Sequence, residues 1–165
     1  ALVLDSLAIA AQALVGASLG GGRAEEARTL ARRVTGYGLG FGVGTGVLFA
    51  ASAVVLPKAF TTDAAVLAQI PYAWWFFVGL QPVAGVVFAV DGVLLGAGDA
   101  AYLRTVTLLA AVVGFLPLIW LSFGLHWGLT GIWTGLAAFM VIRLVAALAR
   151  MATGKWAVVG STVPA

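Results

Sequence analysis

Residues 64–98 read AAVLAQIPYAWWFFVGLQPVAGVVFAVDGVLLGAG, 35 positions with one formal charge, Asp91. At about 1.5 Å per residue a helix of that length spans ~50 Å, whereas the hydrocarbon core of a bilayer is ~30 Å thick. The segment is long enough to cross a membrane and must tilt, bend or protrude. Pro82 is the expected bend, because it lacks a backbone donor and its ring clashes with the preceding turn. Working outward, the same pattern recurs. Residues 6–22, 34–57 and 105–142 carry no formal charge, and the last of these is long enough for two crossings around a turn at Gly124, His126 and Gly128.

The fold class that follows is all-α, a polytopic bundle of about five membrane-spanning helices occupying 1–165 as one partial transmembrane domain. The expected spans are 1–20, 34–57, 66–97, 102–123 and 128–150. Composition agrees, with 62% apolar residues, 9% charged residues and a mean hydropathy of +1.10. A soluble domain carries about 25% charged residues, so here lipid must cover the outside. The net charge of +3 does not point to nucleic acid, because the basic residues are few and sit at the edges of apolar runs. There is no cysteine, hence no disulfide framework or thiolate metal site. The chain opens at Ala1 inside an apolar run with no Met, as expected of a piece of a longer protein.

The connectors 21–33 and 98–104 and the tail from 149 hold seven basic residues (Arg23, Arg28, Arg32, Arg33, Arg104, Arg150 and Lys155), against Lys58 alone on the other side. By the positive-inside rule the seven face the cytoplasm, as does the C-terminus, in a plasma membrane. Thr61, Thr62 and Asp63 offer N-caps for the third span. Leu19-Gly20-Gly21-Gly22-Arg23 is echoed by Leu95-Gly96-Ala97-Gly98-Asp99, a pattern that suits glycine-closed helix ends or a true internal repeat.

Glycine occupies every second position from Gly36 to Gly46, giving two small-residue series on different sides of one helix. Close helix packing is one reading, a flexible transport helix the other. A strand is excluded, since an open strand leaves its backbone unsatisfied in lipid. Asp5, Asp91 and Arg143 are ionisable residues inside spans, and a charge there is costly enough to imply a function or a partner. Asp91 and Arg143 each stand seven residues before the cytoplasmic end of their span, so a structural ion pair is expected. Asp5 has no basic residue at its depth and is the candidate proton or cation site, with Gln12 on the same face seven residues on. Gln81, beside Pro82, either bonds between helices or lines a path where freed carbonyls point into a cavity. Tyr72, Trp74, Trp75, Phe76 and Phe77 suit an interfacial belt or a stacking surface for an aromatic or cationic substrate. No phosphate loop, nucleophile–base set or metal-ligand cluster is present, so no enzyme is expected.

Leu4-Asp5-Ser6-Leu7-Ala8-Ile9-Ala10-Ala11-Gln12-Ala13-Leu14-Val15-Gly16 resembles the eighth helix of the multidrug and toxic compound extrusion (MATE) family. Gln81-Pro82-Val83-Ala84-Gly85 with Val90-Asp91-Gly92-Val93-Leu94-Leu95-Gly96-Ala97-Gly98-Asp99 resembles its tenth, in wording similar to the DinF-like branch. The resemblance implies helices eight to twelve of a twelve-helix antiporter, most of its C-terminal lobe, with helix seven and the N-terminal lobe missing. It also implies export of cationic or aromatic compounds against H+ or Na+ by alternating access, with substrate held between lobes. The coupling ion takes the place of any cofactor, and the expected partners are membrane lipid, a small cationic or aromatic substrate and the missing lobe. Ala84 stands where the sodium-coupled branch has a carboxylate. The alternatives are a lipid or polysaccharide flippase of the same superfamily, or a non-transporting membrane protein.

Overall fold

In a computed structural model, which describes residues 2–159 and all but the side chain of Leu2, the chain is helical with no strand among the described residues. Ala1 and residues 160–165, part of the expected domain, lie outside the described residues. The helices are α1 (Leu2–Gly20), α2 (Ala24–Ala51), a short α3 (Val55–Phe60), α4 (Ala64–Gly96), α5 (Ala100–Leu109), α6 (Leu116–Leu125) and α7 (Gly128–Thr153). A π-helical stretch, Ala110–Phe115, joins α5 to α6, and five helical stretches are long and apolar enough to cross a membrane.

Local chemistry explains where the helices stop. α1 and α4 end in the same turn, with Gly22 and Gly98 both at φ +78°. Gly22 N–H donates to Leu19 O at 3.1 Å and Arg23 N–H to Ser18 O at 2.8 Å; the Gly98–Leu95 and Asp99–Leu94 bonds measure 3.0 and 2.8 Å. These are Schellman closures, which glycine enters without a Cβ penalty. The sequence echo therefore corresponds to two helix endings of one geometry. Asp63 caps α4 by accepting from Ala65 N–H at 2.8 Å and Val66 N–H at 3.4 Å.

Two boundaries differ from the sequence reading by more than a turn. Only residues 21–23 of the expected connector 21–33 are non-helical, because its charges support helix instead of breaking it. Arg23 pairs with Glu26 at 2.5 Å, Arg28 pairs with Glu25, and both acidic residues lie in the first turn, where the helix dipole favours them. α2 thus projects ten residues, about 15 Å, beyond its apolar part. At its other end it stops at Ala51 rather than 57. There Ser52 Oγ bonds Leu48 O and Phe49 O at 2.9 and 3.2 Å, and Pro57 supplies no donor for continuing the helix. α4 itself runs as one helix through Pro71 and Pro82. Val78 O, which loses its donor to Pro82, faces Gly46 of α2.

α4 is the axis of the bundle. It packs against α1 and α2 on one side and α7 on another, and neither α1 nor α2 packs against α5, α6 or α7. Gly38 and Gly42 bring α2 onto the backbone of Gly85 and Gln81; Gly92 and Gly96 bring α1 onto Ala8 and Gln12. A Cβ at any of these four positions would enter a neighbour's backbone. The other series, Gly36, Gly40 and Gly44, meets nothing in this chain. In the full-length protein, Gly42→Ala should therefore lower stability by about 1–3 kcal/mol through overpacking. Gly40→Ala should change it by less than about 0.5 kcal/mol. Thermal unfolding in detergent checks this, and an unchanged midpoint for Gly42→Ala would contradict the packing.

Candidate functional site

α4 carries Asp91 on the side turned to α7, where Arg143 Nη2 donates to Asp91 Oδ2 at 2.5 Å. The side chains retain 20% and 18% exposure, and the Arg143 guanidinium lies 5.6 Å from the Phe139 ring centre. One helical repeat further along, Arg150 Nε donates to Asp99 Oδ2 at 2.6 Å. Arg150 lies 4.9 Å over the Tyr102 ring, and Tyr102 O–H donates to Ala146 O at 2.8 Å. Sequence reading treated Arg150 only as a marker of sidedness and missed this second pair. The signal was present in the matched spacings, Asp91 to Asp99 eight residues and Arg143 to Arg150 seven, although Asp99 lies in the turn after α4.

The remaining candidates are not brought together with this pair. Asp5 is half-buried in the first turn of α1 and makes no hydrogen bond or ion pair among the described residues. Gln12 lies on the same flank with its side chain exposed, while its backbone packs on Gly96. Gln81 sits between α2 and α4, donating from Nε2 to Phe77 O at 3.4 Å and accepting from Thr45 Oγ1 at 3.5 Å. Its neighbouring freed carbonyl points at Gly46, not into a cavity.

The aromatic run divides. Tyr72 and Trp75 are exposed, whereas Trp74 turns inward and donates its indole N–H to Phe49 O at 3.0 Å. Phe49, Trp74 and Phe77 contact one another with ring centres 4.9–6.2 Å apart. Trp74 and Phe77 then line a cavity of about 490 Å³ with Phe60, Trp133, Ile70 and Gln69. Its walls are otherwise apolar, and it lies between α3, the first half of α4 and the start of α7. The contribution of Trp133 was not legible, since it comes from a segment 59 residues beyond Trp74 with no local motif.

The MatE family model matches residues 1–121. The chain is 37% identical over 161 residues to Protein DETOXIFICATION 44, chloroplastic, of Arabidopsis thaliana, an alignment covering 94% of this chain and 30% of that protein. It is 33% identical over 153 residues to Protein DETOXIFICATION 42 of the same plant, covering 93% and 29%. The chain thus spans about three-tenths of the length of these relatives. No solved structure matches it.

A paired charge in a low-dielectric setting depends on its partner, so Asp91→Asn should leave Arg143 uncompensated and cost about 3 kcal/mol. Adding Arg143→Gln should restore part of that loss. Unfolding of the single and double variants in detergent checks the coupling, and strictly additive losses would refute it.

Proposed function

This chain belongs to the MatE family, and from that premise we propose that it forms part of a multidrug exporter. The exporter moves cationic or aromatic compounds outward in exchange for H+ or Na+ by alternating access. The observation that carries the reading is the cavity of about 490 Å³ walled by Trp74, Phe77 and Trp133. That volume falls in the ~300–1,000 Å³ range of small-molecule sites. Aromatic faces attract planar rings by stacking and cations through the ring quadrupole.

Asp5 is the coupling candidate. Asp91 is held by Arg143, whereas Asp5 is half-buried with no partner among the described residues. The opposing lobe is the expected partner, supplied by the part of the relatives that this chain does not span. A flippase asks for basic side chains facing the headgroup path; the aromatic cavity has none in its lining, and Arg143 is already paired. The basic end of the bundle faces the cytoplasm of a plasma membrane in this reading, on the strength of seven basic residues against one.

Transport by the full-length protein in proteoliposomes tests the function. Trp133→Ala should reduce uptake of a fluorescent planar cation several-fold, and Asp5→Asn should flatten the pH dependence of exchange. Wild-type rates for the first variant together with a wild-type pH profile for the second would overturn the reading. Cysteines at Ala59 and Ala24 test the orientation. An impermeant thiol reagent added outside should label the first alone, and labelling of the second alone would reverse it.

A further inference from the structure

α2 and α7 do not pack against each other, and the gap between the start of one and the end of the other is a second cavity of about 500 Å³. Its two walls differ. One is net cationic, formed by Arg28 and Arg32, one helical turn apart, together with Glu25, on the part of α2 that projects beyond its apolar segment. The other is formed by Met151, Ala152 and the indole of Trp156. Trp156 is 3% exposed and fixed by donation from its ring N–H to Met151 O at 3.3 Å. We propose that this cavity binds the phosphate of an anionic phospholipid headgroup, which bridges α2 to the end of α7.

The available donors fit that ligand. Arg32 is exposed and makes no hydrogen bond or ion pair among the described residues. Arg28 uses Nη1 on Glu25, which also lines the cavity and whose charge that pairing offsets, and keeps Nη2 directed toward Gly154. Two of the carbonyls at the end of α7, which would repel an anion, are covered: Met151 O accepts from Gly154 N–H at 3.2 Å and from Trp156, and Arg150 O accepts from Thr153 Oγ1 at 2.8 Å. Lys155, exposed between two lining residues, adds positive charge.

Phosphate is the chemistry that two arginines select, and it could come from a lipid or from free solution. The apolar wall favours the lipid. Free phosphate can use only the cationic side, whereas a headgroup also lays glycerol and proximal acyl carbons against Met151 and Ala152. The location agrees, because the cavity is at the bundle end that carries seven of the nine basic residues, where tryptophan and arginine sit at headgroup level.

The test is native mass spectrometry of the full-length protein in detergent, titrated with phosphatidylglycerol, phosphatidylcholine or inorganic phosphate. The expected result is retention of phosphatidylglycerol in preference to phosphatidylcholine, with Arg28→Gln and Arg32→Gln each weakening it about fivefold. Arg32→Lys should keep most of the affinity, and Arg104→Gln, at the same end but outside the cavity, should keep all of it. Arg32 has no partner among the described residues, so its variants isolate binding from folding. Unchanged phosphatidylglycerol affinity in Arg32→Gln, or equal retention of the two lipids, would overturn the site. Competition by inorganic phosphate at concentrations matching the lipid would overturn the lipid as its source.

Discussion

Direct backbone contact between α4 and its neighbours is the constraint on which the rest of the bundle depends. Inside a bilayer, burying an apolar side chain gains little, since lipid tails are as apolar as leucine. Helices must then be held by dispersion at short range, hydrogen bonds and ion pairs. Gly38, Gly42 and Gly85 provide the short range between α2 and α4, and Gly92 and Gly96 provide it between α1 and α4. Around them Ala11, Val15, Ala31, Ala89, Val90, Val93 and Leu94 form a continuous core with little or no exposure. A larger residue at these glycines separates the axes and opens that core.

α4 is joined to α7 by different means. The glycines of α4 at 85, 92 and 96 all face α1 or α2, and the α7 side instead carries the Asp91–Arg143 pair, with Asp99 in the turn after α4 paired to Arg150. The bundle therefore has one seam closed by backbone contact and one that includes charges. The charged seam carries a sequence requirement on both helices, because each acid needs its arginine at the matching level. α7 in turn holds the π-helical stretch and α6, with Gly114 against Ile142 and Gly131 against Ser122.

The fold class was open to reading because charge and hydropathy decide it with no tertiary information. Asp91 and Arg143 could be placed at one depth by counting residues, and the structure puts their charged atoms 2.5 Å apart. Other features were hidden for definite reasons. The charges of 23–33 mark the water boundary but say nothing against helix, so α2 begins ten residues before its apolar part. Ser52 ends the same helix through a side-chain bond to the carbonyls before it, which hydropathy does not register. The π-helical stretch AAVVGF bears no mark of its own; Pro117, just beyond it, lacks the donor for a normal turn, and Leu116 N–H bonds Ala111 O across five residues. The aromatic cavity needed the third dimension, because Trp74 and Trp133 belong to different helices.

Backbone contact around α4 should make residues 85–96 the most rigid part of the bundle. Amide hydrogen exchange of the full-length protein in lipid nanodiscs reads this directly, since protection reports the free energy of local opening. The account predicts slowest exchange over Gly85–Gly96, well behind the π-helical stretch Ala110–Phe115, where the hydrogen-bond pattern shifts. Exchange over Gly85–Gly96 as fast as over Ala110–Phe115 would contradict it.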